Sequence, residues 1–413
     1  MSATAAAAIR AWLDAHRAEV LAFVETLVGI DSYATQPAGV DAVGDAVGRA
    51  LESAGYTTER VRPRRVPAER RWLEALMLPG HDFDRLADHR IARKAGRGRG
   101  RALVLGDLDT AFPPGGPSRV PFRIDGDRAV GAGIADMKGG LAVATFALRA
   151  LEATGLDTLG EIACVFSADE QAGSLTARPV IEAAARQADW VFCMECAREG
   201  GNLMASRAQI GVARLEVHGR DAHAGSGFAG GVNAVEAMAR KIIAVHALTD
   251  PAREIYLNVG IVQGGWRRSV VPGHAAAVLD IRTPGPAAWE EVERAIRAIA
   301  EHEDVPGARS TLLIASHRPG VPWTEKTDRL LAIAQEAGRE LRLAPFGALR
   351  SPAAGSSAFV GPLGVPCMDG MGPAGGDLMT DHEYVRVPSL VERAALLATI
   401  LHDLGAGAWE RAR

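Results

Sequence analysis

Apolar residues recur along the chain in two rhythms. Ile9, Trp12, Leu13, Leu21, Val24 and Leu27 return at the spacing of one helix face, predicting an amphipathic helix at the N-terminus. The same rhythm over residues 40–54 predicts a second helix, ended by Gly55. Short continuous apolar runs follow. Residues 102–105, 161–167 and 190–194 read as strands, and an Ala-rich helix at 141–153 ends near Gly155. Alternation of strands with helices predicts an α/β sheet covered by helices on both faces.

The texture changes near residue 208. Residues 212–217 alternate between apolar and polar, 255–262 and 275–281 read as further strands, and helices are expected at 233–247 and 289–301. This predicts a compact α+β insertion over 208–317. The α/β pattern resumes afterwards, so one domain of residues 1–207 and 318–413 is interrupted by a smaller one. No internal repeat is visible.

A chain of 413 residues with 48% hydrophobic and 23% charged residues has the balance of a globular protein with a sizeable core, not of a disordered or fibrous one. Its net charge of −4 gives no overall pull toward nucleic acid or an anionic membrane. The 4 cysteines, Cys164, Cys193, Cys196 and Cys367, are too few for a disulfide framework. Arg10, Asp14, Arg17 and Glu19 interrupt the Ala-rich start before a cleavable leader pattern is complete, and no apolar run approaches membrane-spanning length. A soluble, cytoplasmic protein is expected. One local bias stands out: Arg60, Arg62, Arg64, Arg65, Arg70 and Arg71 cluster, as do Arg90, Arg93, Lys94, Arg97, Arg99 and Arg101. The expectation is a solvated loop and hairpin, with a surface for an anionic substrate or partner as the alternative.

Polar residues at the ends of apolar strands mark the candidate chemistry, because ligands bind at the carboxyl ends of strands in open α/β sheets. Gly106-Asp107-Leu108-Asp109-Thr110 follows the first strand, and Ala135-Asp136-Met137-Lys138-Gly139-Gly140 opens a helix. Ser167-Ala168-Asp169-Glu170-Gln171 and Cys193-Met194-Glu195-Cys196 end the next two strands. Acidic ends in one sheet are expected to converge, and such a cluster neutralises itself with a metal or with protons. The C-x-x-C of Cys193 and Cys196 flanks Glu195 on a strand end, which argues against a zinc or redox role.

The order and spacing of these motifs resemble the zinc-dependent aminoacylase and glutamate-carboxypeptidase family of metallopeptidases. Residues 135–140 match its Ala-Asp-Met-Lys-Gly-Gly motif, while Asp109-Thr110 and Asp169-Glu170 match parts of two others. Gly219 to Gly225 around His223, Gly231-Val232-Asn233-Ala234, Val270-Val271-Pro272 and Asp280-Ile281-Arg282 resemble its inserted lid and dimerisation domain. The resemblance implies a mixed sheet flanked by helices, a homodimer and a two-zinc amide hydrolase. It makes Asp136 the bridging ligand, Glu170 the general base and Asp109 the residue that orients a ligand. His223 would steady the oxyanion, and Arg282 would clamp a substrate carboxylate, with Asn233, Ser269 and Gly355 lining the substrate site.

The departures from the pattern are as informative. The family's first-motif His is Asp107 here, the second Glu of its third motif is Gln171, and Leu378 or Met379 stands at the aligned place of its C-terminal His. The remaining candidate ligand set, Asp107, Asp136, Gln171 and Glu195, is all oxygen, which disfavours a dizinc centre. It suits a single Mg²⁺, Mn²⁺ or Ca²⁺ better, with one Zn²⁺ as an alternative. Asp107, Asp136 and Glu195 keep the formal charge of −3 that the family's ligands carry. A cation is therefore still expected, whether metal, shared proton, Lys or Arg side chain, or substrate ammonium. His382 and Asp377 are further candidate ligands, and Glu383-Tyr384-Val385 reads as structural. The expected function is an enzyme acting on an amide or ester of an N-acyl amino acid or dipeptide-like molecule bearing a carboxylate, by hydrolysis or acyl transfer. A single-metal amidohydrolase and a non-catalytic binding protein are the alternatives.

Overall fold

The computed structural model describes residues 2–77, 82–198 and 200–412. The chain divides into two units. The first comprises residues 1–206, 322–350 and 355–413, and the second residues 207–321 and 351–354. The expected insertion, 208–317, differs at its C-terminal end. There the strand Arg309–Arg318 extends the second unit's sheet, and Ala208 N–H donates to Ser351 O (2.9 Å) from the later segment.

A mixed sheet forms the centre of the first unit. Its strands are β1 (Thr57–Val61), β2 (His89–Ala95), β3 (Arg101–Asp107), β4 (Glu161–Ser167) and β5 (Trp190–Cys193), with Cys367–Met368 at the far edge. Their spatial order is β1, β2, β4, β3, β5, Cys367–Met368. The pairs β4–β3, β3–β5 and β5 with Cys367–Met368 are parallel, while β1–β2 and β2–β4 are antiparallel. Beyond their first residues β3 and β4 are buried throughout, as is all of β5, which is why they read as unbroken apolar runs instead of alternating ones. Helices Gly139–Thr154 and Val387–Gly405 join the larger core on one face. Helix Arg178–Ala185 covers the other, with Ile181 and Ala184 against Leu103, Leu105 and Val165.

The connection from β3 to β4 carries the helix Gly139–Thr154, and that from β4 to β5 carries Arg178–Ala185. The loops after β3, β4 and β5 therefore all open at the same end of the sheet. Gly140 permits the close approach of a helix start to β5: a Cβ there would lie 2.0 Å from the Met194 carbonyl oxygen.

Two local expectations change. The N-terminal helical pattern is broken at His16 into Ser2–Ala15 and Arg17–Val28, with His16 stacked on Trp12 at 3.8 Å. The arginine-rich segments supply the antiparallel pair β1–β2, and Arg90 is buried with Asp41 and Asp45, each at 3.0 Å. A guanidinium can be buried there because acids of the helix Pro37–Glu52 meet it.

The second unit has an antiparallel sheet of β6 (Gln209–His218), β7 (Tyr256–Gly264), β8 (His274–Thr283) and β9 (Arg309–Arg318), in the order β7, β8, β6, β9. Burial alternates along β8, and helices Ala234–His246 and Pro286–Glu301 join its apolar core. Among the described residues no helix is long and apolar enough to cross a membrane.

Candidate active site

The acids at the strand ends of the first unit meet. Asp107, the last residue of β3, Glu170, in the loop after β4, and Glu195, just beyond β5, place carboxylate oxygens within 4.8 Å of one another. Asp107 and Glu170 are buried. The Asp107 Oδ1 atom accepts hydrogen bonds from Ser167 Oγ (2.7 Å) and Ser356 Oγ (2.9 Å). Ser356 follows Gly355, which is buried and extended (φ 179°), so the Gly355-Ser356-Ser357 stretch serves to hold the end of β3.

The loop that carries Glu170 is fixed from several sides. Asp109 is fully buried and accepts the backbone N–H groups of Glu170 (3.0 Å) and Gln171 (2.9 Å) on its two oxygens. Burial, then the nearby charges of Glu170, Asp107 and Asp169, push the Asp109 carboxyl well above the usual carboxylate range. Asp169 accepts from Thr176 N–H (2.7 Å), Thr176 Oγ1 (2.8 Å) and Ala177 N–H (3.2 Å), closing the loop on itself. His89 completes the strap: its Nδ1 accepts from Ala168 N–H (3.1 Å), so its Nε2 carries the proton and faces Thr176 Oγ1 at 3.1 Å. Burial holds the His89 imidazole below its ordinary pKa, which favours this neutral form. No sequence signal singled out His89, since a lone histidine at the start of an arginine-rich segment has no spacing to betray its role.

Asp136 lies in the non-helical turn 134–138 and is not one of the three mutually close carboxylates. Gln171 Nε2 donates to its Oδ1 at 3.1 Å. Glu383 holds the turn by accepting from Ala135 N–H (2.8 Å), Asp136 N–H (3.1 Å) and Met379 N–H (2.8 Å). Burial raises the Glu383 carboxyl to about 7 and lowers the Lys138 ammonium to about 7. Lys138 donates to Ile30 O (2.6 Å), so it is engaged there and not with the carboxylate set. Asp377 and His382 are exposed and outside the cluster. The Cys196 thiol donates to the Ala197 and Pro373 carbonyls (3.1 and 3.2 Å), and burial pushes its pKa up.

The converged donors thus differ from the candidate set Asp107, Asp136, Gln171 and Glu195. Glu170 joins Asp107 and Glu195, while Asp136 and Gln171 bond to each other. The reason is chemical: an amide can donate to a carboxylate, whereas a second carboxylate in its place would repel it. The three converged donors are carboxylates alone, with no imidazole or thiolate among them, a set less suited to a pair of zinc ions than to a harder cation. The set fits one hard divalent cation held by oxygen.

His223, Asn233, Ser269 and Arg282 belong to the second unit. His223 is exposed and its Nδ1 accepts from Gly225 N–H (3.1 Å) and Ser226 N–H (3.3 Å). Asn233 caps the helix Ala234–His246 by accepting from Glu236 N–H at 3.0 Å. Arg282 Nε donates to Asp280 (2.8 Å) and its Nη1 to Pro352 O (3.0 Å). The Ser269 carbonyl accepts from Ala224 N–H (2.9 Å).

Carboxypeptidase G2 of Pseudomonas sp. (strain RS-16) is 26% identical over 394 residues, covering 94% of this chain and 90% of that protein. Acetylornithine deacetylase of Myxococcus xanthus is 27% identical over 403 residues, covering 92% and 96%. Among solved structures, aminopeptidase PepT from Bacillus cereus superposes with a TM-score of 0.74 at 19% identity, covering 94% of this chain and 98% of that one. The model of the peptidase family M20/M25/M40 matches residues 103–403, which include every acid of the cluster. The chain belongs to peptidase family M20/M25/M40.

Proposed function

We propose that this chain is an enzyme that opens an amide or ester linkage of an N-acyl amino acid or dipeptide-like molecule bearing a carboxylate, without a dizinc centre. The observation that carries the reading is the buried convergence of Asp107, Glu170 and Glu195, next to an Asp136 already bonded by Gln171. Family membership and the curated relatives, one named a carboxypeptidase and one a deacetylase, support an acyl–nitrogen bond as the target.

Glu170 is the proposed acid–base. It takes a proton from water as the oxygen attacks the acyl carbon, and returns it to the leaving nitrogen as the carbon–nitrogen bond breaks. Asp109 holds the backbone of Glu170, so the carboxylate meets substrate already oriented. With an amine in place of water the same proton movements give acyl transfer. For His223 the resemblance implies oxyanion stabilisation. For Arg282, with Asn233, Ser269 and Gly355, it implies recognition of the substrate's carboxylate. The exposed apolar residues Ile261 and Val262 on β7 support a homodimer, the expected assembly. A cytoplasmic location is proposed on the same footing as before, with no nucleic-acid or membrane partner.

A second reading is favoured by the spacing of the three carboxylates. Asp107, Glu170 and Glu195 would hold one Mg²⁺, Mn²⁺ or Ca²⁺, which would supply charge neutralisation and polarise a substrate oxygen. Metal analysis of protein purified without added metal, with turnover of an N-acyl amino acid panel before and after chelation, separates the two. Retained turnover after chelation with substoichiometric metal supports the first. Stoichiometric hard cation and loss on chelation support the second, and two bound zinc ions per chain overturn both. Glu170→Gln without effect on any turnover leaves only a binding protein.

A further inference from the structure

We propose that the groove between the outer strands β1–β2 and the helix Arg178–Ala185 is a binding site for a small carboxylate with an apolar tail, separate from the acid cluster. The groove encloses about 340 Å³, at the lower end of the range for small-ligand sites. Val61, Ile91, Val180 and Ala184 form its floor, an extension of the apolar core on that face of the sheet.

The charge around the floor is one-sided. Along this stretch Arg60 bonds Asp45 (2.6 Å), Arg65 bonds Glu74 (2.6 Å) and Asp84 (3.1 Å), and Arg93 bonds Glu161 (3.3 Å). Arg62 and Arg64 have no ion pair among the described residues, and both line the groove with exposed side chains. The acid on the covering helix, Glu182, is taken by Arg178 at 2.7 Å. Two uncommitted guanidinium groups over an apolar floor match an anionic head with a hydrocarbon tail. The planar fork of arginine binds a carboxylate through paired hydrogen bonds. An ammonium head is excluded by the same charges. Thr176 also lines the groove, and its hydroxyl meets both His89 and Asp169 in the strap that carries Glu170. A bound tail would therefore rest against the support of the catalytic loop, not against the acids themselves.

Calorimetric titration of the full chain with octanoate tests this, with inorganic phosphate and octylammonium as probes lacking the tail and the anionic head respectively. Octanoate is expected to bind at one site, with phosphate at least about tenfold weaker and octylammonium silent. Arg62→Glu with Arg64→Glu is expected to weaken octanoate at least about tenfold, and Ala183→Trp, at an exposed position on the groove, to block it. Thermal melting of both variants without ligand reports that the fold is kept. Octanoate binding unchanged in both variants, phosphate binding as tightly as octanoate, or no binding heat at millimolar octanoate each overturn the proposal.

Discussion

Asp107, Asp109 and Glu170 on one side, and His223, Asn233 and Arg282 on the other, are placed by different physics. The first three are buried at the ends of the parallel strands β3 and β4, held with backbone amides and hydroxyls. The other three stand at or near the surface of the second unit and satisfy local partners: two amides in a tight turn, a helix start, and an aspartate two residues away. Burying acids together costs free energy unless protons or a cation compensate them, so their burial side by side points to a demand beyond stability. Surface residues with local partners carry no such mark. The contrast teaches that the acids of the first unit are held by contacts between segments far apart in the chain, while the polar groups of the second are held by near neighbours.

The comparison breaks first at Glu170. Glu170→Gln removes the proton acceptor while keeping size and backbone, and turnover of the responsive substrate is expected to fall by about 10²–10⁴ with little change in melting temperature. Unchanged turnover would show that burial of the acids serves something other than catalysis. Next is Asp169→Ala, which leaves two buried N–H groups and a hydroxyl without their acceptor. Chemical denaturation is expected to show a loss of about 2–4 kcal/mol. The loop it strains carries Glu170, so kcat is expected to fall as well.

His89 sharpens the same point through pH. The unfolded chain takes up a proton near the ordinary value of 6.5, while the buried imidazole resists it. The unfolded state thus binds more protons as pH falls through 6.5, and stability is lost on acidification. The slope is at most about 1.4 kcal/mol per pH unit for this one group. Denaturation midpoints between pH 7.5 and 5.5, compared with those of His89→Gln, read it out, and the variant's profile is expected to be flatter.

In the second unit the effects are smaller. Asn233→Ala removes a helix cap and is expected to cost about 1 kcal/mol in the same assay. Arg282→Ala breaks a partly exposed pair and is expected to change stability by less than about 1 kcal/mol. If Arg282 recognises a substrate carboxylate, its loss raises KM far more than that stability change, with kcat less affected. Equal, small changes in both would leave it as the partner of Asp280 alone.

Much of this was legible in the residues. The α/β alternation, the α+β texture after residue 208 and the acidic strand ends each follow from short-range periodicity and from polar residues abutting apolar runs. The strand at 161–167 has the observed bounds, because both its ends are marked by a change from apolar to polar. The reading of Glu383 as structural agrees with its hold on the Asp136 turn. The paired strands β1 and β2 were less visible, because arginines at an exposed edge disguise a strand as a loop.

By itself the sequence determined which groups stand at the motif positions: Asp107 in place of a histidine, Gln171 in place of a glutamate, and Leu378 or Met379 at the place of the second histidine. Only the tertiary structure decided how the donors are shared. It set Glu170 beside Asp107 and Glu195, gave Asp136 to the Gln171 amide, and brought His89, more than seventy residues away along the chain, to the loop after β4. Hydrogen bonds of this kind depend on ångström-scale distances between segments far apart in sequence. Local patterns contain no term for that separation, and the packing of one strand end against another supplies it.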